Sequence, residues 1–95
     1  MQFYVYILSN VQRGVLYTGI TNDLVRRAFE HREKTVEGFA ERHSATRLLY
    51  FECHRTSEAA ITREKAIKRW RREWKFELIE SRNPDWDDLW DEIIK

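Results

Sequence analysis

Near the start of the chain stands a set of side chains that could act together on one substrate. It contains hydroxyl, guanidinium and imidazole groups, which donate hydrogen bonds or carry positive charge and therefore suit a negatively charged substrate. Whether the set performs chemistry depends on a carboxylate elsewhere, and Glu64 is a good candidate. The N-terminal set is Tyr4, Tyr6, Tyr17, Arg27 and His31, with Gly19 beside them.

Glu64 lies three residues from an isoleucine on either side, Ile61 and Ile67, so a helix would turn it toward the protein interior. A buried carboxylate needs a partner. One interpretation is a structural salt bridge with Arg27. The other is a divalent cation at Glu64 with Arg27 facing a phosphate, since magnesium is bound by few carboxylates plus waters and phosphate oxygens. His31 is open to the same two interpretations, a satisfied hydrogen-bonding residue or a catalytic one.

Three short segments have the composition of strands, because they are rich in β-branched and aromatic residues. Turn residues between the first two predict a hairpin, and the polar residues 34–45 predict a loop before the third. The predicted fold class is α+β, with a small three-stranded antiparallel sheet flanked by helices. Strands are expected over residues 2–8, 15–20 and 47–54, and helices over 57–70, over 72–81 and from Asn83-Pro84 onward.

Another helix is predicted directly after the second strand, because residues 21–23 are capping residues. Its inward face is set by two apolar positions, Leu24 and Ala28. Arg27 and His31 share that face at helical spacing, so both are expected against the sheet. The neighbouring charged residues at positions 26 and 30 are expected to point elsewhere.

The chain has 95 residues, which is enough for one domain with one small core. Seventeen cations nearly balance sixteen acids, but residues 63–75 hold seven cations against two acids and residues 76–95 hold seven acids against two cations. This distribution favours one anion-attracting face. A single cysteine excludes an internal disulfide. No apolar run is long enough for a membrane span and no signal peptide is recognisable, so a cytoplasmic protein without a membrane partner is expected.

Four segments together resemble the GIY-YIG nuclease superfamily, and most closely its small stand-alone bacterial domain proteins. They are Tyr4-Val5-Tyr6, Tyr17-Thr18-Gly19, the helix NDLVRRAFEH and the later REKAIKRW. The resemblance covers nearly the whole chain and implies one nuclease domain over residues 1–95. Tyr4 stands where the name-giving glycine would be and Thr18 where isoleucine would be, at positions that carry no chemistry.

The resemblance implies cleavage of DNA phosphodiesters with one divalent metal ion, Mg²⁺ or Mn²⁺, and no other small-molecule cofactor. Tyr6 matches the tyrosine proposed as general base or as positioner of the attacking water, and Tyr17 lines the same site. Arg27 matches the phosphate-stabilising arginine and Glu64 the metal ligand. His31 matches a histidine near Tyr6 and the scissile phosphate. Tyrosine acts as a base only where its pKa, ordinarily near 10, is lowered.

Family members usually gain target specificity from attached modules, and the basic residues 63–75 are the expected substitute here. Phosphate contacts from these cations would give salt-sensitive binding that is independent of sequence. The alternative is a solvated helix face with two core tryptophans, Trp70 and Trp74. The candidate DNA-binding residues are Arg63, Lys65, Lys68, Arg69 and Arg72.

Two functions follow as hypotheses. The first is a metal-dependent DNA endonuclease that is structure-selective or has a loose sequence preference. The second is a nucleic-acid-binding module on the same fold, with weak or no cleavage, acting through a partner. The complete set of five candidate catalytic residues favours the enzyme, because a pure binding module has no use for an inward Glu64.

Overall fold

The computed structural model describes residues 1–11, 14–33 and 45–95, so the loop predicted over 34–45 lies almost entirely outside the described residues. Among those residues, no helix is long and apolar enough to cross a bilayer. The elements, in chain order, are strands β1 (Phe3–Ser9) and β2 (Leu16–Thr21), helix α1 (Leu24–Arg32), strand β3 (Arg47–His54), and helices α2 (Ser57–Arg69), α3 (Arg72–Arg82) and α4 (Trp90–Ile93).

The three strands form one antiparallel sheet in the order β2-β1-β3. The central strand β1 is paired on both sides, and its residues from Val5 to Ser9 are buried. Side chains alternate between the two faces of a strand. Val5 and Ile7 pack with α2 and α3 on one face, while Tyr6 and Leu8 pack on the other face, where α1 contributes Leu24. The predicted α+β fold is confirmed.

The sheet contains one irregularity, at Leu49. Ile7 pairs with Tyr50 and Leu8 pairs with Leu48, so Leu49 is an extra residue in β3 and forms a β-bulge. Its carbonyl accepts a hydrogen bond of 2.9 Å from the Asn83 amide. A buried asparagine of the following segment therefore satisfies the backbone group that the bulge leaves unpaired.

The expectation that Asn83-Pro84 begins a helix is wrong. Asn83 ends α3, and its side chain bonds both backbone groups of Asp87, donating to the carbonyl and accepting from the amide. These bonds hold an irregular turn in which Trp86 takes a left-handed backbone (φ 56°) and is fully buried. Regular helix resumes only at Trp90. An asparagine side chain that bonds nearby backbone competes with helix formation, which explains the difference.

One predicted helix face needs correction, and one alternative left open by the sequence is decided. In α2 the buried positions are Ala60 and Ile67, whereas Ile61 is exposed because it lies about 100° further around the helix. In α3 Ile79 is the buried residue and Trp74 is exposed. Glu64 still lies on the inner side of α2, between Ala60 and Ile67 at spacings of four and three.

Candidate active site

The centre of the candidate site is the phenol of Tyr6, whose ring extends from β1 across the neighbouring strand β2. Tyr6 pairs with Gly19 in the β1–β2 ladder. A Cβ atom on Gly19 would lie 2.5 Å from both Cζ and the hydroxyl oxygen of Tyr6. The ring tip therefore occupies the space that any other residue at position 19 would fill. The glycine thus gives room to the Tyr6 ring.

Substituting Gly19 by alanine is expected to lower the free energy of unfolding by about 1–3 kcal/mol, the range for overpacking a buried site. The added methyl collides with the Tyr6 ring, which is itself buried. Urea denaturation of Gly19→Ala, Tyr6→Ala and the double variant measures the effect. Because the collision needs both side chains, the loss from Gly19→Ala should largely disappear in the Tyr6→Ala background. Strictly additive losses would contradict this account.

Two further rings surround Tyr6. His31 lies on the inner face of α1, and its Nε2 is 3.3 Å from the Tyr6 hydroxyl in a buried contact. The Tyr17 ring completes a triangle, with centroids 6.4 Å from Tyr6 and 5.6 Å from His31. The prediction that α1 turns His31 toward the sheet is confirmed by this contact. Three of the five candidate catalytic residues thus touch one another.

Burial and nearby charges together set the protonation states of Tyr6 and His31. Burial raises the pKa of Tyr6 above its ordinary value, and the nearby Tyr17 raises it further against an opposing effect of Arg27. Burial and then the Arg27 guanidinium lower the pKa of His31. At neutral pH the phenol is therefore protonated and the imidazole neutral. The tyrosine pKa is not lowered, as a phenolate base would require, but Tyr6 has a neutral imidazole within reach of its proton.

Arg27 lies at the rim of the site rather than fully inside it. Its side chain is 40% exposed, against 76% for Arg26. Both guanidinium groups bond one carboxylate, Glu30, with Nε–oxygen distances of 3.4 Å. Glu30 was expected to point elsewhere than the face that carries Arg27, but its carboxylate pairs with both arginines. Its spacing of three and four residues from these arginines is the one at which helical ion pairs form. A cavity of about 210 Å³ lies here, lined by Thr21, Asn22, Asp23, Arg26, Arg27 and Glu30.

Glu64 approaches from α2, and its side chain is only 12% exposed. Its Oε2 atom lies 2.6 Å from Nζ of Lys68, one helical turn later. The ion pairs of the described residues therefore join Glu64 to Lys68 and Arg27 to Glu30, and the structural salt bridge between Glu64 and Arg27 is not formed. The Glu64 charge makes the smallest of the named contributions that raise the pKa of Tyr6.

The oxygen atoms at this site fit a hard divalent cation by their chemistry. Glu64 offers one carboxylate, and the neighbouring rings of Tyr6 and Tyr17 each carry a phenol oxygen. Magnesium and manganese prefer oxygen ligands, and magnesium keeps several waters, so one carboxylate is a sufficient protein ligand. In the described parts of the chain, no three His, Cys, Asp or Glu side chains gather to form a larger cage.

The five candidate DNA-binding cations are not equivalent. Arg63 bonds Glu52 at 2.9 Å, which raises its pKa, and its guanidinium stacks 5.1 Å from the Trp70 ring centroid. Arg72 donates to the Gly14 carbonyl and lies over the Phe76 ring. Lys68 bonds the candidate metal ligand. The remaining two, Lys65 and Arg69, are exposed on α2.

Two curated relatives and a solved structure that this chain resembles are all UPF0213 proteins. A UPF0213 protein of Haloquadratum walsbyi is 39% identical over 77 residues, covering 81% of this chain and 85% of that protein. A UPF0213 protein of Clostridium perfringens is 35% identical, covering 84% and 85%. The solution NMR structure of a UPF0213 protein from Bacillus halodurans superimposes with a TM-score of 0.56 at 26% identity, covering 94% of both chains.

A family model described as the GIY-YIG catalytic domain matches residues 2–77, which contain all five residues of the candidate site. The resemblance read from the tyrosine motifs is thereby confirmed. Membership implies activity of the nuclease type, with nucleic acid as the substrate. The chain belongs to the GIY-YIG family.

Proposed function

We propose that this protein is a metal-dependent endonuclease that hydrolyses DNA phosphodiester bonds, with structure selectivity or a loose sequence preference. The observation that carries the proposal is the buried contact of 3.3 Å between the Tyr6 hydroxyl and Nε2 of His31. A protonated phenol beside a neutral imidazole can act as a proton-transfer pair, and Arg27 lies near it at the rim of the site.

The pair can take the proton of an attacking water without forming a free phenolate. As the water oxygen bonds to phosphorus, its proton moves to the Tyr6 oxygen while the phenol proton moves to Nε2 of His31. The bond from phosphorus to the leaving oxygen breaks in the same displacement, the leaving oxygen takes a proton from solvent water, and His31 later returns its extra proton to solvent. His31 must present an unprotonated Nε2, and its lowered pKa favours that state.

Arg27 is the group that would meet the phosphate. Attack on a phosphodiester concentrates negative charge on the nonbridging oxygens, and a guanidinium offsets it through paired hydrogen bonds. The 40% exposure of Arg27 lets its guanidinium reach a substrate at the rim. Before the substrate binds, the ion pair with Glu30 holds the Arg27 guanidinium in position. Once the substrate is bound, the guanidinium contacts both Glu30 and the phosphate.

Mg²⁺ or Mn²⁺ would be held by Glu64, and when bound it would supply further stabilisation of the phosphate charge. Lys68 competes for the same carboxylate, since its ammonium lies 2.6 Å from one Glu64 oxygen. That ion pair is also the observation that favours the second candidate function. A carboxylate already neutralised by lysine suits a nucleic-acid-binding module that acts without metal through a partner.

Incubation with supercoiled plasmid and with flapped and branched oligonucleotides distinguishes the two functions. We expect strand cleavage in the presence of Mg²⁺ or Mn²⁺ and none with EDTA. Parallel binding measurements in EDTA show whether each substrate is bound. Binding of these DNAs without cleavage of any of them, in either metal, would reject the endonuclease in favour of the binding module.

A further inference from the structure

An apolar groove lies on the surface between α2 and α3, beyond the site described above. It measures about 420 Å³ and is called the Trp groove; its lining residues are Trp70, Trp74, Glu77, Leu78 and Ser81. Trp74 is 46% exposed, although α3 has a buried inner face at Ile79. The core therefore does not use the Trp74 ring, which meets Trp70 edge-on with centroids 6.2 Å apart.

Cations cover the two tryptophans of the Trp groove. The Arg71 guanidinium lies 5.2 Å from the centroid of Trp74, and that of Arg63 lies 5.1 Å from the centroid of Trp70. Seven of the thirteen residues over 63–75 are cationic and two are acidic. An aromatic floor with a cationic rim is complementary to a flat ring attached to a polyanion.

Glu77 shows which part of such a ligand would enter the Trp groove. A carboxylate in the lining repels a phosphate but can accept a hydrogen bond from the exocyclic amine of a nucleobase. The base would then lie against Trp74 while its phosphates remain at the rim near Arg71. A base paired inside a duplex presents no free face, so only an unpaired base can enter.

We propose that the Trp groove binds an unpaired nucleobase of the DNA substrate, which makes single-stranded or flapped DNA the preferred substrate class. The inference rests on the proposed function and adds the structure that the substrate must have. Trp70 follows Glu64 by six residues, about 9 Å along the axis of α2.

Fluorescence anisotropy of the full chain in EDTA tests the proposal with two labelled probes, a single strand of mixed sequence and a blunt duplex of the same length. Trp74→Ala is expected to weaken single-strand binding roughly 5- to 100-fold, the equivalent of about 1–3 kcal/mol of base stacking. Duplex binding should change less than about twofold. Trp74→Phe keeps an aromatic face and should retain most of the single-strand affinity.

Phe29 provides the matched control, because it is an equally exposed aromatic residue (52%) on the separate helix α1. Phe29→Ala should leave both affinities unchanged. Circular dichroism checks that each variant is folded. If Trp74→Ala is not, Trp74→Leu removes the aromatic face with a smaller loss of volume and should show the same selective loss of single-strand binding. Equal loss of single-strand and duplex binding, or no loss at all, would overturn the proposal.

Three further outcomes show which part of the proposal holds. If sedimentation shows a wild-type dimer that Trp74→Ala dissociates, the Trp groove joins two copies of the chain and the nucleobase proposal is overturned. If single-strand binding depends on Trp74 but no DNA is cleaved, the Trp groove stands and the hydrolytic function fails. Cleavage of flapped and duplex DNA at equal rates by wild type would overturn the substrate class alone.

Discussion

Replacing Glu64 by alanine is expected to reduce Mg²⁺- or Mn²⁺-dependent cleavage of DNA by at least about 100-fold. The side chain is the candidate metal ligand, and loss of a group that stabilises the transition-state charge typically has an effect of this size. DNA binding in EDTA should be unchanged or slightly tighter, because the substitution frees the Lys68 ammonium from its partner. Cleavage rates under single-turnover conditions and anisotropy in EDTA measure the two effects separately.

Glu64→Gln and Glu58→Ala sharpen this experiment. Glutamine keeps the shape of the side chain but removes its charge, so it should abolish cleavage as alanine does. Glu58 is an exposed acid in the first turn of the same helix α2, and Glu58→Ala should cleave at nearly the wild-type rate. Undiminished cleavage by both Glu64 variants would remove the metal assignment from this residue.

Replacing Arg27 by alanine is expected to lower the cleavage rate by about 100- to 1000-fold, the range seen when one transition-state donor is removed. The neighbouring variant Arg26→Ala supplies the control. Arg26 has the same charge, bonds the same Glu30 and lines the same cavity, but its side chain is 76% exposed and, unlike Arg27, it is not among the charges that shift the pKa of His31. Arg26→Ala should therefore change the rate less than about threefold.

The informative quantity is the ratio of the rate loss in Arg27→Ala to the rate loss in Arg26→Ala. Arg27→Ala and Arg26→Ala remove the same charge from adjacent positions, so long-range attraction of DNA falls equally in both. A loss of rate that is equal in both variants would mean that α1 presents no specific arginine to the phosphate. A difference in rate with equal DNA affinity would place the role of Arg27 in the chemical step.

The sequence was sufficient to predict the part of the site that depends on local spacing. Capping at Asp23 and the apolar positions Leu24 and Ala28 orient α1, and that orientation brings His31 to Tyr6. Sheet pairing of Tyr6 with Gly19 follows from the hairpin. These relations depend on helix and strand periodicity, which can be read directly from the residue types.

The partners of the charged residues could not be predicted in the same way. Glu64 was expected to have a partner, and its spacing of four residues from Lys68 is the helical ion-pair signal. The same spacing does not show whether a metal ion or Arg27 competes for that carboxylate. The direction of the Tyr6 pKa shift depends on burial by the assembled core, so a sequence cannot give it. Whether Trp74 is a core residue or part of a nucleic-acid-binding face was left open, because α3 has apolar residues on more than one side and only packing decides which side is buried.

The bulge at Leu49 and its bond to Asn83 have a consequence for the order in which the molecule can fold. β1 and β2 are neighbours in sequence, so the hairpin and α1 can bring Tyr6, Tyr17 and His31 together early. β3 lies much further along the chain than β2. The Leu49 carbonyl in its bulge accepts a hydrogen bond from the Asn83 side chain, which can form only after Asn83 has packed against the sheet. Long-range closures of this kind are slow steps. A nascent chain can therefore assemble the tyrosine and histidine side of the cleft well before the sheet is complete.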